Sequence, residues 1–305
     1  MKHDLKRGAL LLASATFFVA ALNALQKLTG TRLPALEIIF FRNLFSLPFV
    51  LLIAFRTGIV LRTHHFSGHL TRSVVGLISM IMIVITVTRL PLAEQQVLSY
   101  TQPLFLVLLS IPLLGERPSL QRWIAVLIGF SGVVVVALGK GLLNTNATSV
   151  STIIYLLALA QGAVGALTTM QIRQLSATEA STTISLWQAI LMTLMTAAPL
   201  PFIWVTPGWQ DGLYLVVVGA FAGIAQVLQT EAFASAQVSA IGPFAYTGLL
   251  WAALIGWLGF GEIPSSAMAA GAVLIIGSGV WMLRHDRATK ARSTVAVTIE
   301  AAEGS

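Results

Sequence analysis

The sequence contains no cysteine and few charged residues. The absence of cysteine excludes a disulfide framework, a thiolate metal site and a cysteine nucleophile. Charged residues make up 10% of the 305 residues, whereas a soluble globular chain carries roughly 25%. Hydrophobic residues make up 56%, and the mean hydropathy is +0.86. Because so few polar groups cannot cover a water-facing surface, the composition predicts a membrane protein.

Motifs for catalysis and for nucleotide binding are also missing. The sequence has no HExxH, no GxSxG, no Walker loop and no phosphate-cradling glycine set. His64, His65 and His69 share one loop, but they lack a fourth ligand for a closed zinc site and lie beside Arg62 and Arg72. We therefore expect no catalytic residue, no metal site, no cofactor and no enzymatic activity.

Long apolar segments recur along the chain, and a helix needs about 20 apolar residues to cross a membrane. The first segment continues past Ala13–Ala15, which resembles a signal-peptide cleavage site, so we expect a retained helix. After position 284 the chain is charged and rich in small residues, which predicts a disordered cytoplasmic tail over 285–305. The apolar segments lie at roughly 8–28, 34–55, 73–90, 92–114, 120–139, 152–172, 180–205, 212–234, 238–260 and 265–284.

The basic residues of the connecting loops predict the orientation in the membrane. If the N-terminus is inside, thirteen lysines and arginines lie on the inner side and only Lys27, Arg32, Arg89 and Lys140 on the outer. Positive charge accumulates on cytoplasmic loops, so both termini are expected in the cytoplasm. A net charge of +7 would suggest a nucleic-acid partner in a soluble protein. Here the same loop-charge rule explains it, so we expect no nucleic-acid partner.

One stretch of the chain occurs twice. Ser99–Ser119 aligns with Ala245–Ser265 at an offset of 146 residues, with eight identities in 21 positions. Both copies begin with Tyr-Thr and end with Gly-Glu-x-Pro-Ser. After one inserted residue the register continues, because AVLIGFSGV at 125–133 faces AVLIIGSGV at 272–280. The chain is therefore expected to contain an internal repeat.

The repeat and the number of apolar segments together predict the topology. Each half contains five segments, an odd number, so the second half must enter the membrane in the opposite direction. The sequence thus predicts an all-α membrane protein with ten transmembrane helices in two inverted five-helix repeats, 8–139 and 152–284. Inverted repeats are found in many secondary transporters, in which two similar bundles rock about a central site.

Several segments resemble the drug/metabolite transporter superfamily, in particular its EamA-type members. They are LEIIFFRNLFSLP at 36–48, LLGERPS at 113–119 with IGFSGVVVVALG at 128–139, and GFGEIPS at 259–265 with LIIGSGVWML at 274–283. The resemblance implies that helices one to four and six to nine surround a central cavity, with helices five and ten outside. The two halves differ at Pro103, which aligns with Leu249.

This resemblance implies a function as well as a fold. We expect a secondary transporter that moves small organic metabolites or drugs by alternating access, without ATP, in the bacterial inner (plasma) membrane. Its partners would be a small-molecule substrate, a coupling proton or ion, and the lipid bilayer, and it would be a monomer or homodimer. The alternatives are a lipid flippase or scramblase, or a membrane-embedded enzyme that uses the same cavity.

Arg42 is the most deeply placed charge in the sequence, about 12 Å into the second segment at 1.5 Å per residue. Such a charge is costly and either contributes to function or bonds to neighbouring helices. Glu37 is five residues earlier, about 140° around the helix, so we expect no stacked ion pair between the two. Glu37 is either a cation or proton site or a carboxylate that favours the helix N-terminus.

Other polar and aromatic residues inside apolar segments complete the candidate site. Gln96 and Tyr100 share one helix face, and Tyr246 occupies the repeated position of Tyr100. The two tyrosines either face one cavity or lie at the membrane interface. Trp187 either stacks on a substrate or fills a helix interface. The predicted substrate-binding residues are Asn23, Glu37, Arg42, Gln96, Tyr100, Gln161, Trp187, Gln188, Gln226 and Tyr246.

Overall fold

In the computed structural model the described residues are 5–57, 63, 65–115, 118–139, 149–235, 241–282 and 284. Every regular element among them is a helix. Glu116 and the expected tail at 285–305 lie outside the described residues. The helices are α1 Leu5–Thr29, α2 Ala35–Thr57, α3 Phe66–Arg89, α4 Leu92–Ser99, α5 Gln102–Leu114, α6 Leu120–Gly139, α7 Ser149–Leu175, α8 Ser181–Ala197, α9 Leu200–Ile203, α10 Trp209–Ser235, α11 Thr247–Phe260 and α12 Ser266–Met282.

Within the described residues, seven helical segments are long and apolar enough to cross a membrane: α1, α2, α3, α4 together with α5, α6, α7 and α10. Three shorter apolar segments of 10–17 residues lie in α8, in α12, and in α11 with the turn before it. An apolar helix satisfies its own backbone hydrogen bonds, which is why such segments are stable in lipid. The predictions of an all-helical chain and of a membrane protein are confirmed.

The two copies of the repeated stretch begin differently and end in the same way. The first is interrupted at Tyr100–Thr101, between α4 and α5, and Pro103 lies at the start of α5 where its missing N–H costs no helical bond. In the second copy a 3-10 turn, Gly242–Tyr246, precedes α11. Both copies end at a left-handed glycine, Gly115 with φ 65° and Gly261 with φ 66°, the only positive-φ positions among the described residues. Glycine terminates helices in this conformation because it has no Cβ to clash.

The packing of the helices follows the repeat. α1 lies against α10 and α11, whereas α7, at the corresponding position of the second half, lies against α3, α4 and α5. α6 and α12 also contact each other, since a Cβ added to Gly132 would lie 2.7 Å from the carbonyl oxygen of Gly271. These two helices correspond to the fifth and tenth segments of the sequence.

Small residues allow α2 and α10 to approach closely. A Cβ added to Gly219 would overlap the Cβ of Phe45, and one added to Gly223 would lie 2.5 Å from the ring of Phe49. Gly219 and Gly223 form a GxxxG pair, the pattern that lets helix backbones approach in membranes. This close contact brings the Arg42 region of α2 against the second half of the chain.

Candidate functional site

A cavity of about 80 Å³ lies between α2, α3, α8 and α10. Its wall is more polar than the surrounding helices. The polar lining residues are Arg42, Asn43, Ser46, Ser185, Gln188 and Gln226, and the apolar ones are Val50, Met80, Ala189 and Ala222.

Arg42 is the charged residue of this wall. It is part-buried in α2 and lies four residues before Ser46, so the two share a helix face. The four ion pairs among the described residues do not include it. Glu37 instead accepts a hydrogen bond from the backbone N–H of Val205 (3.2 Å) through Oε2, and does not line the cavity. Arg42 therefore faces the cavity without a protein counter-ion among the described carboxylates.

Gln188 of α8 lies between the cavity and Arg72 of α3. The Arg72 guanidinium donates a hydrogen bond of 2.7 Å to Oε1 of Gln188. Arg72 is only 5% exposed, and its Nε has no partner in the described part of the chain. The other end of the Gln188 amide, Nε2, is 3.5 Å from the sulfur of Met192. Arg72 thus fixes the orientation of Gln188.

Trp187 lies beside the cavity but outside its lining. Its ring packs against Phe66 at a centroid distance of 5.4 Å and against His69 at 6.0 Å. His69 is buried and lies 3.9 Å from Glu179, which also accepts a hydrogen bond of 2.5 Å from Thr63. Trp187 thus packs against α3, and both alternatives for its role stay predictions.

The repeated tyrosines contact each other. The rings of Tyr100 and Tyr246 are 4.9 Å apart in an edge-to-face arrangement, and the Tyr100 hydroxyl donates to the carbonyl oxygen of Ala245 (3.1 Å). Gln96 lies close by, because a Cβ added to Gly248 would be 3.6 Å from its Nε2 and 3.0 Å from the Tyr100 hydroxyl. These residues join the two copies of the repeat and do not line the cavity of Arg42.

Two other predicted site residues are also separate from this cavity. Asn23 is buried in α1. Gln161 of α7 accepts a hydrogen bond of 3.2 Å from the Ser99 hydroxyl. Of the ten predicted residues, the structure brings Arg42, Gln188 and Gln226 together at one cavity.

Sequence analysis missed Asn43, Ser46 and Ser185, which line the same cavity. A signal for two of them was available in the helical spacing. Ser46 is four residues after Arg42, and Ser185 is three residues before Gln188, so each shares a face with a predicted residue. Asn43 follows Arg42 directly, and only the three-dimensional arrangement places its side chain at the cavity.

A second charged cluster connects α1, α4 and the segment between α11 and α12. Lys27 forms a salt bridge with Glu262 and donates to the carbonyl oxygen of Leu90 (2.6 Å). Oε2 of Glu262 accepts the backbone N–H of Leu92 (2.8 Å) at the start of α4. Glu94 accepts a hydrogen bond from Tyr155 of α7 and shares a small pocket with Glu262. This Lys27–Glu262 cluster connects α1 to the start of α4 and to the second copy of the repeated stretch.

Known proteins similar to this chain are membrane transporters. The chain is 30% identical over 277 residues to the pseudopaline exporter CntI of Pseudomonas aeruginosa, covering 89% of this chain and 94% of that protein. It is 27% identical to a riboflavin transporter of Brucella anthropi, covering 88% and 96%. It is 25% identical to an S-adenosylmethionine uptake transporter of Rickettsia bellii, covering 88% and 90%.

A solved crystal structure shows the same fold. It superposes with a TM-score of 0.64 at 20% sequence identity, covering 92% of this chain and 98% of that chain. The family model for EamA-like transporters matches residues 6–138 and again residues 152–284. Together with the apolar helices, these matches show that the chain is a multi-pass protein of the plasma membrane. The chain belongs to the EamA-like transporter family.

Proposed function

We propose that this protein is a secondary transporter of small organic metabolites that works by alternating access through the cavity of Arg42. In this proposal ten helices cross the membrane as two inverted five-helix repeats, 8–139 and 152–284, with both termini in the cytoplasm. Three of these crossings are each built from two consecutive elements. They are α4 with α5, α8 with α9, and the 3-10 turn with α11. Transport would draw on a solute or ion gradient, because the sequence has no Walker loop.

One observation carries this proposal: helices of both halves supply the wall of the cavity. α2 and α3 come from the first half, and α8 and α10 come from the second. A site between two bundles changes its access when one bundle rocks against the other. A cavity within a single bundle would have no such property.

The Lys27–Glu262 cluster supports the alternation of access. At the repeat offset of 146 residues, Lys27 aligns with Arg173 and Glu262 with Glu116. The sequence therefore repeats a cation at the end of the first helix of each half and a carboxylate after the fourth. In the proposed topology these two pairs lie on opposite sides of the membrane, where each would hold one side closed while the other is open.

The similar proteins favour transport over the alternative functions. The family model and the three relatives described above all name transporters, and the relatives' names specify small molecules. None of them is named as an enzyme or a lipid scramblase. Six of the ten cavity-lining residues are polar, which also suits a polar metabolite.

Counterflow in proteoliposomes tests the proposed function. Purified protein loaded with a metabolite inside the vesicles should accelerate the entry of the same labelled metabolite without ATP. Arg42→Ala should abolish this exchange, whereas Arg89→Ala, which changes an exposed arginine at the end of α3, should not. Protein that moves fluorescent lipid between leaflets and moves no metabolite would instead support the scramblase alternative.

A further inference from the structure

The cavity of Arg42 contains a positive charge and no described carboxylate. Arg42 is its charged lining residue, and Arg72 lies directly behind Gln188. A charge at membrane depth is costly unless it is paired or hydrated. Because no described carboxylate pairs with Arg42, a group on the substrate or water must compensate its charge.

Each of the six described carboxylates is engaged elsewhere. Two form ion pairs with cations of α1: Glu262 with Lys27 and Glu231 with Arg7. Asp211 pairs with Arg32, and Glu179 contacts Thr63 and His69. Glu94 accepts a hydrogen bond from Tyr155, and Glu37 accepts one from the backbone N–H of Val205. None of the six lines the cavity.

The orientation of Gln188 adds hydrogen-bond donors to this wall. An arginine can only donate, so the amide oxygen of Gln188 must be the atom that faces Arg72. The amide nitrogen is then the end with unused capacity, since its one contact is to the thioether sulfur of Met192, a weak acceptor. Arg72 therefore leaves the amide nitrogen of this cavity-lining residue, rather than its oxygen, as the end that can bind a ligand.

Asn43 contributes a further donor. It lines the cavity and is 6% exposed, and its Nδ2 is buried without a hydrogen-bond partner among the described residues. A buried donor without an acceptor costs roughly 1–3 kcal/mol. An acceptor atom on a bound molecule would remove that cost. Arg42, Asn43 and Gln188 thus line one cavity; Arg42 contributes a positive charge, and Asn43 and Gln188 each have an amide donor without a strong acceptor among the described residues.

We propose that the transported substrate is an organic anion whose carboxylate is bound by Arg42, with Asn43 and Gln188 as additional donors. The inference rests on the proposed transport function and names the substrate class of the same cavity. The planar guanidinium donates two parallel hydrogen bonds to a carboxylate, which gives both charge and orientation. Gln226 and Ser46 border the remaining space and would contact the uncharged part of the molecule.

Binding to the full-length protein in detergent tests this proposal separately from transport. Thermal unfolding is measured with a metabolite library sorted into anionic, neutral and cationic compounds, to which nicotinate and nicotinamide are added as a matched pair. The compounds that stabilise the protein should carry a carboxylate, and conversion of that carboxylate to its primary amide should abolish the stabilisation. A bound compound at 100 times its Kd adds about 2.7 kcal/mol of stability, which such an assay detects.

Variants of Arg42 test whether the stabilising compound binds in the cavity. Arg42→Gln should weaken the affinity for a stabilising carboxylate at least about 30-fold, because one member of a buried charge pair is removed. Arg42→Lys should be intermediate, since it keeps the charge and loses the planar fork. Arg89→Gln is the matched control and should bind within about twofold of the original protein by the weak effect of exposed charges.

A second variant keeps the proposal testable even if the arginine variants fail to fold, because asparagine and aspartate have nearly the same shape. Asn43→Asp places a carboxylate in the cavity wall, where it would neutralise Arg42 and exclude the substrate anion. It should abolish carboxylate binding while leaving the unliganded protein folded. The proposal is overturned if no anionic compound stabilises the protein, or if carboxylates stabilise Arg42→Gln and Asn43→Asp as well as the original. Carboxylate binding without any flux would instead contradict the proposed transport function.

Discussion

Replacement of Glu262 by glutamine should destabilise the protein by about 3 kcal/mol, because it leaves the Lys27 ammonium without its counter-ion. The two side chains are only 16% and 17% exposed. Breaking a buried ion pair at one partner costs roughly 3–5 kcal/mol, since the remaining charge stays buried. Lys27 keeps its bond to the Leu90 carbonyl and its position 5.3 Å from the Phe260 ring centre, which places the estimate at the lower end. Glutamine can still accept the Leu92 N–H, so the loss comes from the charge.

The chain offers a matched control for this experiment. Arg7 and Glu231 form an ion pair of 3.6 Å whose side chains are 63% and 43% exposed. An exposed pair contributes about 0–1 kcal/mol, so Glu231→Gln should have little effect. Reversible unfolding from mild detergent into SDS, followed by tryptophan fluorescence, measures both free energies.

A double variant tests the physical reason. Lys27→Met removes the other charge, and neutral groups of similar size in a buried pair are often tolerated. Lys27→Met combined with Glu262→Gln should therefore be less destabilised than the sum of the two single variants. The reasoning is refuted if Glu262→Gln costs no more than Glu231→Gln, or if the two single effects are additive.

The remaining predictions concern the glycines and the topology. Gly219→Ala should destabilise by about 1–3 kcal/mol because its methyl group overlaps Phe45, whereas Gly212→Ala, with no atom within 4 Å, should be neutral or stabilising in the same unfolding assay. Gly261→Ala should cost about 1 kcal/mol because its φ of 66° is left-handed, and Gly259→Ala is the control without neighbours. Reporter fusions at either terminus should both be active in the cytoplasm; activity on opposite sides would contradict the inverted repeat.

Local features of the repeat were predictable from the sequence. The paired Tyr-Thr and Gly-Glu motifs predicted two equivalent segments. In the structure each contains a helix that begins within one residue of the Tyr-Thr pair, at Gln102 or Thr247, and ends at a left-handed glycine. The GxxxG spacing of Gly219 and Gly223 is likewise visible in the sequence, and in the structure both glycines lie against α2. Such signals depend on neighbouring residues and on backbone conformation, so one sequence is sufficient to find them.

The sequence did not predict the contacts between distant parts of the chain. Lys27 and Glu262 are 235 residues apart, and nothing in either segment specifies the other as its partner. The contact between Tyr100 and Tyr246 depends on how α4, α5 and α11 cross, whereas the sequence indicated only that the positions are equivalent. Helical period identifies which residues share a face, but the tertiary arrangement decides what that face meets.

The residues of the cavity were predictable only in part. Arg42 was predicted from the cost of its charge at membrane depth, and it lines the cavity. Gln161 and Asn23 satisfied a similar criterion, yet they lie in other helix interfaces. Polar residues inside apolar segments both line cavities and connect helices, and composition alone does not distinguish the two roles.

The most direct test of transport through this cavity uses a single cysteine. The chain has no native cysteine, so Ser46→Cys would be a unique label in the cavity wall. Under turnover in vesicles, a membrane-impermeant maleimide should label it from either face of the membrane, and a transported solute should slow the labelling. Leu194→Cys, at an exposed apolar position of α8 expected to face lipid, should remain unlabelled. Labelling of Ser46→Cys from one face only, or from neither, would contradict alternating access.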